Sequence, residues 1–361
     1  MQVAGQAFRS VWLDGSVVKA IDQRRLPHEF VIVDLPNYRA TAEAIRDMTI
    51  RGAGAIGAAA GFAMAQAALE ATSAAVVQAL EEAASVVRAT RPTARDLFYA
   101  VERVLGAAER AGDAAAGKRA AVETAQALAD ANAAAAEAIG RHGAALLQDG
   151  ARVLTHCNAG WLAMVDWGSA LSPIYLAHRR GRRVSVWVTE TRPRSQGAKL
   201  TAWELAQEGV AHTVVADTAV GSLFQRRQVD LVLVGADRIA ANGDVANKIG
   251  TYTIATLAHL HRVPMYVAAP LSTIDAGCPS GQAIPIEERD AEEVVSVAGA
   301  APDGRPSTVR IAPEGSPALN PAFDVTPASL LTGLITEEGV IPADASAISR
   351  VLERHAVAAH E

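Results

Sequence analysis

The sequence predicts an α/β protein. A small N-terminal antiparallel sheet with a helical domain (residues 1–145) should precede a Rossmann-like parallel sheet with helices on both faces (146–361). Three observations predict this. Two short extended runs open the chain, apolar residues then recur at three- and four-residue steps from Thr41 to about Gln148, and beyond residue 151 short β-branched runs alternate with helical ones. With 361 residues, half of them hydrophobic, the chain has material for two cores.

The first runs are SVWLDGSVVKA and EFVIVDL, and Asp14-Gly15 supplies a hairpin turn signal. The helical stretch contains TAEAIRDMTI, GAAAGFAMAQAALEAT, AAVVQALEEAASVVRAT and ARDLFYAVERVLGAAERAG. Thr93 and Asp96, just after Pro92, read as a helix N-terminus. In the second half, RVLTH (152–156), VSVWVT (184–189), HTVVA (212–216), DLVLVG (230–235) and VPMYVAA (263–269) read as buried parallel strands. Ligands of such sheets bind outside the carboxyl ends of the strands. Those ends carry Cys157-Asn158-Ala159-Gly160, Glu190 to Gly197, Ala236-Asp237-Arg238 and Pro270 to Thr273, so separate loops should meet at one site.

Composition narrows the function classes. A formal net charge of −6, with no Lys/Arg block, argues against nucleic acid. No run reads as a spanning helix, and MQVAGQAFRSVWLDG lacks the features of a signal peptide. Cys157 and Cys278 lack metal-ligand spacing, and AANGDVANK lacks the full spacing of a calcium loop. The expectation is a cytoplasmic protein without metal or cofactor.

Several residues could carry chemistry. Gly52, Gly54 and Gly57 spell G-x-G-x-x-G, but the preceding segment reads as helix, so the dinucleotide fingerprint lacks its strand. Two readings remain: a phosphate-binding helix N-terminus reinforced by Arg51, or a close helix crossing that needs small residues. Cys157 sits at a strand crest as either a reactive thiol or simple packing. His156 reads as a satisfied core histidine. Asp237, against an apolar strand, suits a general acid with a raised pKa, or else a cap or a partner of Arg238. Arg91 lies near a helix start, and Asn247-Lys248 is expected to open a helical run where an amide and an ammonium could hold phosphate or hydroxyl.

Longer blocks add a resemblance. AIRDMTIRGAGAIGAAAGFAMA, TRPTARDL, LTHCNAG, ETRPRSQGAKLTAWEL, GADRIAANGDVANKIGTY, AAPLSTID, IPIEER and NPAFDVTP resemble the methylthioribose-1-phosphate isomerase family, relatives of the α, β and δ subunits of initiation factor 2B. The likeness covers nearly the whole chain. It implies an aldose–ketose isomerase with Asp237 as proton donor and Cys157 as second catalytic residue. It places Arg51, Gly52, Ala53, Arg91, Gln196, Asn247 and Lys248 around the sugar phosphate. It also implies a homodimer without metal or cofactor, and makes IPIEER and NPAFDVTP structural segments. The chain departs from the family pattern at Gly54, where proline is common, at Trp161, Met164 and Trp167, where smaller residues are usual, and at Met265, where phenylalanine is common. The tryptophans are expected to reshape the pocket for the C5 substituent, leaving 5-deoxyribose 1-phosphate or another pentose 1-phosphate as a competing substrate. A non-catalytic phosphosugar- or nucleotide-binding subunit is the alternative of another class.

Overall fold

The computed structural model describes residues 1–72, 75–91 and 94–358, so the Pro92-Thr93 part of the expected helix start lies outside the described residues. Val11–Asp14, Val17–Ile21 and Ile32–Leu35 form an antiparallel meander. Asp14 pairs with Val17 across a two-residue turn in which Gly15 adopts φ 63°, the conformation such a hairpin asks of glycine.

Five helices follow: α1 (Tyr38–Arg46), α2 (Ala53–Glu70), α3 (Val76–Arg88), α4 (Arg95–Glu109) and α5 (Ala114–Ala144). Asn37 caps α1 and Asp113 caps α5, each side chain accepting from a first-turn N–H. Helix α2 is apolar on every side and is buried continuously from Gly54 to Ala68, because α1, α3, α4 and α5 surround it. Its alanines and glycines let the neighbouring backbones approach closely. Gln66 is a polar side chain buried inside this layer. It accepts from Thr41 Oγ1 (2.7 Å) and donates to the carbonyls of Ser16 (3.0 Å) and Leu35 (2.7 Å), tying helix to meander with its hydrogen-bonding groups engaged. Phe62 is fully buried in this core. Phe62→Ala should therefore lower stability by about 3–5 kcal/mol, read as a lower urea midpoint with an unchanged slope.

The second half builds a seven-stranded sheet in the order Gly339–Ile341, Gly333–Thr336, Met265–Ala268, Leu231–Val234, Ala151–Thr155, Val184–Thr189, Ala211–Val215. The first pair is antiparallel and the others are parallel. All five expected strands are present, and the two from the GLIT and GVI segments extend the sheet beyond them.

A four-stranded sheet was not expected: Ile274–Asp275, Arg238–Ala240, Val245–Lys248 and Phe323–Thr326. Each of these strands is short, and Val245–Lys248 pairs with residues almost eighty positions away. The expected helical start at Asn247-Lys248 is thereby corrected. Both residues end a strand, and the helix begins at Thr251, after Gly250 turns the chain with φ 103°.

The chain order defines a crevice. From Ala151–Thr155 it moves outward through Val184–Thr189 and Ala211–Val215, then returns to the opposite side of the first strand as Leu231–Val234. Loops leaving the two strands beside this reversal diverge and open a cleft between them. One loop carries Cys157 and the other carries Asp237. Among the described residues no helix is long and apolar enough to cross a membrane.

Candidate active site

A cavity lies over this crevice, closed from above by the start of α2. Arg51, Gly52, Ala53, Arg91, Cys157, Gln196, Asp237, Asn247 and Lys248 all line it. Every residue expected at the site is therefore in one place, although these residues come from well-separated segments of chain.

Cys157 adopts φ 62°, a left-handed conformation that costs a non-glycine residue about 1–3 kcal/mol and persists only where surrounding contacts enforce it. Here three contacts do so. Its N–H donates to Thr191 Oγ1 (2.8 Å), its carbonyl accepts from Thr201 Oγ1 (2.7 Å), and its thiol donates to Gln196 Oε1 (3.2 Å). Burial pushes the thiol above its ordinary pKa, while Arg51 and Lys248 pull it down. The thiol is consequently neutral at neutral pH.

Asp237 leaves the neighbouring strand, its N–H held by the Ala246 carbonyl at 2.9 Å. Burial raises its carboxyl above the usual aspartate range, opposed by Lys248, Arg91 and Arg51. Arg238 reaches Asp275 at 3.3 Å, and the segment that follows Asp237 is the strand Arg238–Ala240 rather than a helix for it to cap. Lys248 donates to the Ala322 carbonyl (2.9 Å) and lies 4.4 Å from the centre of the Phe323 ring. Burial lowers its pKa, and Cys157 and Asp237 raise it.

The opposite wall is the N-terminus of α2. Gly52 is its cap residue, with φ 91° and no side-chain cap, which leaves first-turn N–H groups for an anion. A Cβ at Gly52 would lie 2.4 Å from Ala163 Cα, so glycine is required by conformation and by space. Gly57 approaches Asp96 on α4 within 3.0 Å of a built Cβ, the close helix crossing expected of small residues, while Gly52 and Ala53 face the cavity. Arg51, buried, donates to the side-chain and backbone oxygens of Asn158. Arg91 meets Glu287 at 3.3 Å, and its Nε has no hydrogen-bond partner among the described residues. Three basic side chains and a helix N-terminus beside a buried carboxyl give the cavity the charge and the free donors that an anion would need.

The initiation factor 2 subunit family matches residues 49–343. Methylthioribose-1-phosphate isomerase of Roseiflexus castenholzii is 51% identical over 344 residues, covering 93% of this chain and 95% of that protein. The chain belongs to the methylthioribose-1-phosphate isomerase family. It is an enzyme of the isomerase class. The crystal structure of 5-methylthioribose 1-phosphate isomerase from Pyrococcus horikoshii OT3 matches with a TM-score of 0.86 and 42% identity, covering 96% of each chain. That of translation initiation factor eIF-2B, subunit delta, from A. fulgidus matches at 0.79 and 40% identity, covering 93% of this chain and 96% of that one.

Within this family member, the departures resolve differently from expectation. Trp161 is fully buried beside Trp203, with ring centres 6.1 Å apart, and Trp167 lies under the Arg179 guanidinium. Neither lines the cavity, which corrects the expectation that the tryptophans reshape it. Met164 does line it, and its Sδ lies 2.7 Å from where a Cβ on Gly54 would stand. The two departures are thus coupled, since the methionine occupies space that any side chain at residue 54 would need. Met265 is buried in the sheet core, away from the site.

His156 is satisfied as expected, bonded to Thr189 Oγ1 (2.7 Å) and the Ile249 carbonyl (2.8 Å), although it also borders the cavity. The oxygens of Asn242 and Asp244 are spent on each other and on the N–H groups of Gly281 and Ala328, so they fasten loops together. Residue-level reasoning missed Glu287, from IPIEER, which faces Arg91. It also missed Glu204, buried behind the cysteine loop. Local sequence holds no signal for either, because a glutamate in an amphipathic helix or a charged loop reads as a solvated charge. Only the blocks IPIEER and ETRPRSQGAKLTAWEL marked those regions.

Proposed function

We propose that the chain converts 5-methylthio-D-ribose 1-phosphate into 5-methylthio-D-ribulose 1-phosphate, a step of methionine salvage. The convergence of Asp237, Cys157 and the three cations in one cavity carries this reading. The phosphate on the anomeric oxygen prevents the ring from opening as a free sugar would. Arg51, Arg91 and the first N–H groups of α2 hold that phosphate and so orient the ring. Asp237 gives its proton to the ring oxygen, and the bond from that oxygen to C1 breaks, leaving a cation at C1 stabilised by the phosphate-bearing oxygen. A hydride then moves from C2 to C1. The C2 hydroxyl becomes the ketone, and its proton restores Asp237, so the sequence is balanced without redox partner or metal.

The neutral thiol favours this hydride shift over an enediol route, which would need Cys157 as a thiolate base. Met48, Ile56, Met164 and Phe323 supply apolar lining that keeps water from the cation and suits a methylthio group. We assign the enzyme to the cytoplasm as a homodimer, with light scattering as the check on the assembly.

Turnover is tested by NMR with methylthioribose 1-phosphate and 5-deoxyribose 1-phosphate, in EDTA and D2O. The expected result is methylthioribulose 1-phosphate with no solvent deuterium at C1. Deuterium there would replace the hydride shift by the enediol route, and comparable rates on both sugars would widen the substrate class. The likeness to an initiation-factor subunit favours a second reading, a binding-only protein; binding of the sugar phosphate without turnover would establish it.

A further inference from the structure

Behind the cysteine loop lies a carboxyl that the reaction does not touch. Glu204, in the helix Ala202–Gln207, is fully buried and accepts four hydrogen bonds. Oε1 receives Asn158 Nδ2 (2.8 Å) and the Leu162 N–H (3.2 Å); Oε2 receives the Trp161 N–H (2.8 Å) and the Tyr175 hydroxyl (2.6 Å). A buried carboxyl costs stability unless such partners compensate it. Burial raises its pKa and the hydrogen bonds oppose that rise. Three of the four donors are N–H groups, which cannot accept; only the Tyr175 hydroxyl could take a carboxyl proton, so Oε1 acts as an acceptor in either protonation state. The fold makes room for it: a Cβ on Gly160 would stand 1.8 Å from Oε2.

Glu204 helps to fix which way Asn158 faces. Oε1 accepts, so the amide offers Nδ2 to Glu204, and the Thr201 hydroxyl, which donates to the Cys157 carbonyl, also accepts from Nδ2 at 3.2 Å. The amide Oδ1 is then left to accept from Arg51 Nη1, while the Asn158 backbone carbonyl accepts from Nη2 at 2.9 Å. With the amide reversed, two N–H donors would meet at Arg51.

We propose that Glu204 is a positioning residue that sets the guanidinium of Arg51 for the substrate phosphate, acting through the orientation of Asn158. The inference rests on the reading of the cavity as a sugar-phosphate site. Nothing in it requires Glu204 to touch substrate.

The test compares the full-length wild type with Glu204→Gln, Asn158→Asp and the double variant. Rates with methylthioribose 1-phosphate give kcat and KM, competition by inorganic phosphate gives Ki, and melting temperature monitors folding. Each single change should raise KM and the phosphate Ki together by at least ~10-fold, with kcat within about threefold of wild type. Glu204→Gln must set its amide NH2 against an N–H donor whichever way it turns, Asn158 and Leu162 on one side or Trp161 on the other, and Asn158→Asp sets two carboxyl groups against each other.

The double variant should return both constants to within about threefold of wild type. In it the new amide at position 204 donates to the new carboxylate at position 158, which still accepts from Arg51. Unchanged constants in the single variants, or no recovery in the double, would overturn the inference. Should both single variants fail to fold, the double variant's Ki decides alone. If the wild type turns nothing over, the proposed function fails, and protection of each protein's melting temperature by inorganic phosphate still decides the role of Glu204.

Discussion

Asp237→Asn should reduce kcat by about 10²–10⁴-fold, the usual contribution of a positioned general acid, while the melting temperature stays near that of the wild type. The amide keeps the shape of the side chain but cannot release a proton to the ring oxygen. The pH profile gives a second readout. Burial raises the Asp237 pKa, so the proton-bearing form extends above the ordinary aspartate range, and kcat/KM should fall as pH rises through that raised value. The Asn variant should lose this alkaline limb. Folding stability has the same sign of dependence. An aspartate that holds its proton more tightly when folded favours the native state at low pH, and the benefit fades as pH rises from the unfolded toward the folded pKa. Wild-type rates for Asp237→Asn would remove this residue from the mechanism.

Cys157→Ser should lower kcat by about 10²-fold without unfolding the protein. The hydroxyl is smaller and more strongly hydrated than the thiol, so it brings water toward the C1 cation and shortens the contact with Gln196. A misplacement of about 1 Å near reacting atoms can cost a factor of this size. Cys157→Ala separates the possible roles of the sulfur. It keeps the cavity dry, so it should retain more activity than Cys157→Ser under the hydride-shift route. Equal losses in both variants would instead show that the sulfur moves a proton. Because burial keeps the thiol neutral, iodoacetamide should react slowly at neutral pH and faster as the pH rises, measured by mass spectrometry.

The charges around these two groups oppose one another. Arg51 and Lys248 lower the thiol pKa, and Lys248, Arg91 and Arg51 lower that of Asp237. A bound phosphate dianion neutralises part of that positive charge. The pKa values of both groups therefore rise with substrate in place, which favours the protonated Asp237 that ring opening requires.

Much of this protein was determined by local sequence. The five parallel strands follow from short β-branched runs between helical ones, and helices α1, α3 and α4 follow from apolar spacing, because both periodicities are local consequences of backbone geometry. The strand-crest rule then brought Cys157 and Asp237 toward one crevice, and the longer motif blocks pointed to Arg51, Arg91, Gln196, Asn247 and Lys248. Tertiary structure alone decided the rest. Val245–Lys248 is a strand because Phe323–Thr326 pairs with it, and Trp161 faces the core because Trp203 lies there to receive it. Glu204 is a buried, fully hydrogen-bonded carboxyl because Asn158, Trp161, Leu162 and Tyr175 converge on it. Each of these outcomes depends on partners distant in the chain, and local periodicity carries no record of where such partners will stand.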